Sequence, residues 1–431
     1  MNLRPLLFCL ALLSAAAGCA EAQEASPPQG AAPVTAIRAG RLIDGSGGPV
    51  VENAVIIVRG ERIESVGPAA GAVIPGGARV VDLSRHTVLP GLIDGHAHPY
   101  ENLNWGVPDA IRMGYIAQGM RISLLSGTTT YYVLGEIHNM DIVARGLVEQ
   151  GRLAGPRIYP SGHWILTSRG PWGEVFDETY DGADAIRAKI REQHQAGAHH
   201  TKLMLEDGAG SGNNFTREEL RAAVEQSHAL GMKVTAHAYG DAVRVAMEAG
   251  VDAVTHGNNL TPETIDLLKR RRSGIVVTHT IDFQPYYPER WRVAGQTTNA
   301  KEWLQGWRDV LARARREPSV ERAFRARARE LTALKAAGVI VAAGTDNGPG
   351  LMQIELEYLV DSGFTPLEAI TAGTGATARL LGIDQEVGTI QRGRFADIIA
   401  VSGRPDQDIK ALDQLSFLMA GGRDLSGLSW K

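Results

Sequence analysis

The fold class read from the sequence is α/β, and three observations predict it. Eight short apolar runs recur between residues 88 and 343, helix-patterned stretches separate them, and β character precedes this region and returns after it, beyond helices near Gln353–Asp361 and Pro366–Ala372. The chain has 431 residues, 44% hydrophobic and 21% charged. It can therefore bury a large core, in two or three domains or in one barrel that absorbs most of the length.

In chain order, the first residues read as an export leader: Arg4, an apolar stretch from Leu6 to Ala17, then small residues. Residues 1–19 are expected as a signal peptide and 20–34 as a flexible linker. Two leader ends fit. Ala16-Ala17-Gly18-Cys19 is similar to a bacterial lipobox, which would make Cys19 the lipidated first residue, and Ala20-Glu21-Ala22 is similar to an A-x-A cleavage site. The expected location is the bacterial periplasm or a membrane-anchored lipoprotein, with secretion as the alternative. Membrane attachment would come only through that lipid, since no later stretch reads as a transmembrane span.

Both cysteines, Cys9 and Cys19, lie in the leader, so the mature part has no disulfide and no thiolate ligand. A metal there needs nitrogen and oxygen donors, which suits Zn, Mn, Co or Ni. The net charge of −4 implies neither nucleic acid nor a polyanionic partner. The expected partners are a small-molecule or short-peptide substrate and further copies of the chain in a homo-oligomer.

Residues 35–88 read as β: Val51 to Arg59 is rich in branched apolar residues, Gly60-Glu61-Arg62 turns, and Ile63 to Val66 resumes. The eight central strand candidates are Val88–Ile93, Thr128–Val133, Arg157–Ser161, Thr201–Leu205, Lys233–Ala236, Ala253–Thr255, Ile275–Thr278 and Val339–Ala343. Helical stretches such as Asp184–Gln195, Arg217–Leu230, Asp241–Glu248 and Thr261–Arg270 separate them. Eight such units predict a TIM (β/α)8 barrel over residues 89–382. Short runs such as Ile398–Val401 return to β character, so residues 383–425 are expected to join 35–88 in a small β-sandwich domain. The segment from Phe283 to Arg329 is too long for a simple loop. Its helical second half carries Arg313, Arg315, Arg316, Arg322, Arg325, Arg327 and Arg329, read as a solvated helix face rather than a binding surface.

Six residues form a candidate metal constellation. His96 and His98 follow the first run, two apart and so on one strand face, where both imidazoles can meet one ion. Lys202 lies in the fourth run, His237 and His256 follow the fifth and sixth, and Asp346 follows the eighth. All but Lys202 stand at strand ends, where a barrel places its chemistry. Lys202 sits in Thr201-Lys202-Leu203-Met204-Leu205, whose burial would depress its pKa. A neutral amine there could add CO2 as a carbamate bridging two metals; the other reading has the lysine meeting a substrate carboxylate.

At these residues the chain resembles the amidohydrolase superfamily, in the binuclear-metal branch of imidazolonepropionases and Xaa-Pro dipeptidases (prolidases). The run from Val88 to His98 matches the opening motif, His237-Ala238-Tyr239-Gly240 and Thr255-His256-Gly257 the next two, and Gly344-Thr345-Asp346 the terminal aspartate. The resemblance implies that His96, His98 and Asp346 hold one divalent metal and His237 and His256 another, with zinc as the expected ion. Carboxylated Lys202 and a hydroxide would bridge them, and Tyr239 would polarise the substrate. Where prolidase-like members carry Gly-Gly-His, this chain has Ser161-Gly162-His163-Trp164. His163 and Trp164 are therefore substrate-binding candidates, with mutual packing as the alternative.

The expected activity is hydrolysis of an amide or peptide-like bond, in dipeptides or N-acyl amino acids, with Asp346 as the catalytic proton carrier. The same site would serve an esterase, lactonase or phosphotriesterase. A catalytically silent binding lipoprotein is a third reading, against which stands the retention of all six ligands. Tyr100, Trp105, Trp164, Trp172, Phe283, Tyr286, Tyr287 and Trp291 fall in loops expected over the barrel mouth, in a chain only 6% aromatic. They predict a pocket for a bulky or aromatic group. Arg169 reads as a surface arginine or as a contact for a substrate carboxylate.

Overall fold

A computed structural model describes residues 32–99, 108–170, 178–205, 214–283, 300–346 and 348–429. The leader and its cleavage motifs lie outside these residues, as do Tyr100, Trp105, Trp172, Tyr286, Tyr287 and Trp291. Among the described residues no helix is long and apolar enough to cross a membrane.

The chain begins with four strands, β1 (Val34–Leu42), β2 (Val51–Arg59), β3 (Arg62–Pro68) and β4 (Arg79–Pro90). Strand β5 (Leu92–Ala97) then opens an alternation with helices: α1 (Asp109–Leu125), β6 (Thr128–Val133), α2 (Met140–Glu149), β7 (Arg157–Tyr159), α3 (Ala183–Ala196) and β8 (His200–Met204). It continues through α4 (Arg217–Ala229), β9 (Lys233–Ala238), α5 (Gly240–Ala249), β10 (Ala253–His256), α6 (Pro262–Arg271) and β11 (Gly274–Val277). After the short α7 (His279–Asp282) come α8 (Ala300–Ala314) and α9 (Pro318–Ala337), then β12 (Ile340–Ala343). Helices α10 (Met352–Asp361), α11 (Pro366–Thr371) and α12 (Thr377–Leu381) lead to β13 (Ile398–Val401), β14 (Leu415–Ala420) and β15 (Arg423–Asp424).

Local signals explain many of these ends. Thr216 and Thr365 cap α4 and α11 through reciprocal bonds with Glu219 and Glu368, and Thr261 with Pro262 opens α6. The helical stretch from Ala300 to Ala337 is two helices, because Pro318 has no N–H to continue the first and instead starts the second. On these helices Arg313, Arg322, Arg325 and Arg329 are exposed and Arg327 is buried; in the turn between them Arg316 is exposed and Arg315 half-buried.

The β-rich ends of the chain form one seven-stranded sheet in the order β15-β14-β13-β4-β1-β2-β3. Strand β13 pairs antiparallel with β4, so the C-terminal strands rejoin the N-terminal ones. The central strands lie in two all-parallel sheets, β5-β6-β7 and β12-β11-β10-β9-β8. Among the described residues, backbone hydrogen bonds join these sheets at both ends of the series. Ile165, beyond β7, exchanges backbone bonds with β8 (Ile165 N to Lys202 O 2.9 Å, Met204 N to Ile165 O 3.0 Å), and Asp346 N donates to His96 O at 2.8 Å. The expected strand Val88–Ile93 is in fact divided at Gly91. Leu89 and Pro90 pair with β13, whereas Leu92 pairs with Thr128 of β6. Gly91 makes the crossing because a Cβ there would fall on the Thr129 side chain.

Parallel strands covered on both faces should be apolar on both, and alternation sorts them here. Ile275 and Val277 of β11, with Val341 and Ala343 of β12, belong to one buried cluster; Val276 and Ala342 belong to another, with Ile93 and Tyr132. On β9, Val234, Ala236 and Ala238 join the first cluster, which leaves His237 on the opposite face. On β8, Leu203 does the same and leaves Lys202 on that opposite face.

Strand β12 passes β5 so closely that a Cβ on Gly344 would strike the His96 backbone nitrogen. Gly344→Ala is therefore expected to destabilise the protein by about 1–3 kcal/mol through overpacking. Gly114→Ala, at an exposed position of α1 with open space around it, is expected to add about 0.5–1 kcal/mol. Thermal and urea unfolding followed by circular dichroism check both; equal behaviour of the two variants would contradict the close approach.

Candidate metal centre

His96 and His98 leave the end of β5 with both Nε2 atoms on one oxygen, Asp346 Oδ1, at 3.2 and 3.0 Å. One ligand atom from each of the three residues lies within 4.8 Å of the others. His98 Nδ1 sits 3.1 Å from the Gly135 carbonyl oxygen. A carbonyl only accepts, so Nδ1 carries a proton and a neutral His98 turns the lone pair of Nε2 toward Asp346. Two acceptors at 3.0 Å need a proton or a cation between them. The protonation balance agrees: burial disfavours charge on His98, but the hydrogen bond and charge of Asp346 outweigh it and raise its pKa. Burial also disfavours charge on Asp346, yet the surrounding imidazoles hold its carboxyl well below the usual range. His96, fully enclosed, is pushed well below the usual histidine value by burial.

His256 faces the same carboxylate from the other side, with Nε2 3.5 Å from Asp346 Oδ2. Its Nδ1 lies 2.7 Å from Thr278 Oγ1, and that hydroxyl donates to Asp282 Oδ2 at 3.3 Å. The hydroxyl proton is thus committed to Asp282, so His256 Nδ1–H is the donor and Nε2 the free acceptor. Nε2 is buried with no hydrogen-bond partner. A buried, oriented imidazole lone pair beside a carboxylate is what a divalent ion requires, and hydrogen bonds from the other ring nitrogens are how ligating histidines are fixed. The His237 ring centroid lies 4.4 Å from that of His256, and Tyr239 stacks on His256 at 5.0 Å and meets His237 edge-on at 5.3 Å. Lys202 is buried, with Nζ donating to Thr255 Oγ1 at 3.1 Å. Burial brings its pKa down to about 7, against the opposing pull of Asp346. The donor set therefore fits a divalent cation: imidazoles, a carboxylate and an amine that is part neutral at pH 7.

The backbone departs from strand geometry at two of these donors. His256 has φ of 65° and Asp346 φ of 47°, left-handed values that side-chain-bearing residues seldom adopt. By alternation His256 would follow Val254 away from Lys202 and His237; the left-handed turn is what lets it rejoin them. Asp346 is held by its neighbour Thr345, whose N–H (2.9 Å) and hydroxyl (2.6 Å) both donate to Asp94. Asp94 also accepts from His96 N at 3.2 Å, which ties the first donor strand to the last. Thr280 Oγ1 donates to Thr345 O at 2.8 Å, and buried Glu355 accepts from His279 N and Thr280 N at 2.8 Å each. The sequence reading gave no role to Asp94, Thr278, Asp282 or Glu355. Asp94 had a signal, an acid inside an apolar run; the others had none.

The remaining candidates lie further out. Trp164 is buried 6.2 Å, centroid to centroid, from His98 and packs on Gly135. The His163 ring meets Trp164 and Tyr180 edge-on, its Nδ1 is 2.9 Å from Trp164 O, and burial lowers its pKa. Arg169 is engaged with Asp181, Glu219 and the Asn214 carbonyl, a surface staple at the start of α4. Phe283 packs inward against His279, Phe324 and Tyr358 rather than over the donors.

The model of the amidohydrolase family matches residues 87–423. The chain is 28% identical over 444 residues to an ochratoxinase of Aspergillus niger, covering 92% of this chain and 87% of that protein. It is 25% identical over 425 residues to a 5-methylthioadenosine/S-adenosylhomocysteine deaminase of Moorella thermoacetica, covering 84% and 86%. A crystal structure of a Xaa-Pro dipeptidase with methionine bound in its active site superposes with a TM-score of 0.73 at 28% identity, over 91% of this chain and 99% of that one.

The His98–Asp346 pair sets a pH dependence in the metal-free protein. The folded pKa of His98 is raised, so the pair stabilises the fold below the unfolded value of about 6.5 and that contribution is lost as pH rises through the folded value. His98→Gln is expected to lower the melting temperature of chelator-treated protein more at pH 6 than at pH 9. Added zinc should displace the His98 proton, seen as proton release in weakly buffered calorimetry at pH 6.5. A pH-independent difference between the two proteins would show that no proton is shared there.

Proposed function

The chain belongs to the amidohydrolase family, and we propose that within it the protein is a binuclear metal-dependent hydrolase of amide or peptide-like bonds flanked by a large apolar or aromatic group. The observation that carries this reading is the convergence of His96, His98 and His256 on the two oxygens of Asp346. Relatives and neighbours named as an ochratoxinase and a Xaa-Pro dipeptidase support amide-bond hydrolysis, and the methionine in the latter's active site supports an apolar side chain. In the same reading, the two parallel sheets, which touch beside Ile165 and at Asp346, are parts of one (β/α)8 barrel with the donors at its C-terminal rim.

His96, His98 and Asp346 would hold one cation and His237 and His256 a second, with the Lys202 amine carboxylated between them. Such cations supply Lewis acidity toward a water and a carbonyl oxygen. Asp346, ionised at neutral pH and half-open to solvent, takes the proton of the attacking water and returns it to the leaving nitrogen as the C–N bond breaks. Tyr239, held over His256 and His237, offers its hydroxyl to the carbonyl oxygen. Trp164, beside His98, walls the cleft against water.

Asp346→Asn is expected to keep the fold and lose kcat by at least about a hundredfold; full turnover would exclude the proton-carrier role. Lys202→Ala should lose metal and activity together, with partial recovery by short carboxylic acids. Two metals retained per chain would make Lys202 a substrate contact. An N-acyl series differing only in the side chain, from glycine through leucine to phenylalanine, should rise in kcat/KM, and matched esters, lactones and phosphotriesters should be poorer substrates. A flat ranking would remove the apolar pocket; a preferred ester would remove the amide assignment.

A further inference from the structure

Arg327 does not behave as its neighbours on α9 do. It is only 3% exposed. Its Nη2 donates to the carbonyl of His256, and its Nη1 to the carbonyl of Gly257 at 2.6 Å. Nη1 also pairs with Glu330 Oε2 at 3.0 Å, one turn along the helix, and Glu330 Oε1 accepts from Leu260 N at 2.6 Å. One guanidinium and one carboxylate of α9 therefore clasp the turn that follows β10 at three backbone positions. That turn is the strained one: His256 has φ of 65° and Gly257 φ of 59°. Two successive left-handed residues turn both carbonyls toward α9, away from any strand ladder. Buried carbonyls without donors are costly, and two N–H groups in one rigid plane satisfy two adjacent carbonyls at once.

We propose that Arg327 is a positioning residue for the metal donor His256, and that through it helix α9 sets the geometry of the metal centre. The ring of His256 is fixed at two points, Thr278 Oγ1 on Nδ1 and the left-handed backbone beneath it. Arg327 secures the second. Without the fork, His256 can relax toward the negative φ that side-chain-bearing residues prefer, and Nε2 leaves its place 3.5 Å from Asp346 Oδ2. Glu330 neutralises the guanidinium, so the clasp adds no net positive charge beside the cations. This proposal rests on the reading of His256 as a ligand.

The test uses the full chain as wild type, R327Q, R327K and, as a control on the exposed side of α9, R325A. Zinc affinity is read by competition with a chromogenic chelator, alongside thermal melting of the metal-free proteins. R327Q is expected to bind zinc about ten- to a hundredfold more weakly, the range for lost partners of ligating histidines. R327K, which keeps the charge but reaches one carbonyl, is expected to lose about tenfold, and R325A nothing. In turnover, kcat should fall with KM little changed. A merely structural arginine would lower the melting temperature and leave the zinc affinity of the folded protein at the wild-type value, which would overturn the proposal. If R327Q does not fold, R327K decides alone, and wild-type affinity in it is equally fatal. Absence of zinc binding by the wild type would instead overturn the ligand reading.

Discussion

Asp346 carries a partly exposed carboxylate within 3.0 to 3.5 Å of three imidazole nitrogens. At two of those nitrogens the lone pair faces the negative oxygen, because the opposite ring nitrogen carries the proton for Gly135 O or Thr278 Oγ1. Like faces like, and only a proton or a cation resolves it. The surrounding structure can be understood as what holds these groups in place against their repulsion.

That holding is distributed. Asp94 joins the strand of His96 and His98 to the backbone of Thr345, Glu355 fixes the turn after β11 whose Thr280 meets the same Thr345, and Arg327 clasps the turn of His256. Each is a buried charged or polar group whose partners are mostly backbone atoms. This pattern sets backbone conformation rather than charge balance, and it accounts for left-handed φ values at two donors that otherwise cost roughly 1–3 kcal/mol each. Glycine does the complementary work where elements must touch: Gly344 lets β12 lie against His96, and Gly91 lets the chain pass from the seven-stranded sheet into the parallel one.

The helices between β11 and β12 illustrate how one segment can serve two ends. Four of the arginines on α8 and α9 named from the sequence, Arg313, Arg322, Arg325 and Arg329, face solvent, as a charged helix face does. Arg327, spaced among them without any mark of its own, turns inward to a carbonyl 71 residues away. A charge run read only as a face hides such a residue, because helical periodicity tells which side it lies on but not what that side meets.

The sequence by itself determined which side chains stand at the strand ends and the run of short parallel strands. Both are local properties: eight apolar runs of strand length, and histidine or aspartate placed at their ends. It also showed that His96 and His98 share a direction, since two residues on one strand do so whatever the strand packs against. It could not show that Val88–Ile93 is two strands, because the division at Gly91 is made by the exchange of β13 for β6 as partner. Nor could it show how His256 turns back toward Asp346, against the alternation of its own strand. That turn is decided by φ, and φ at that position is decided by Arg327, Thr278 and the neighbouring strands, contacts that exist only once the chain has folded.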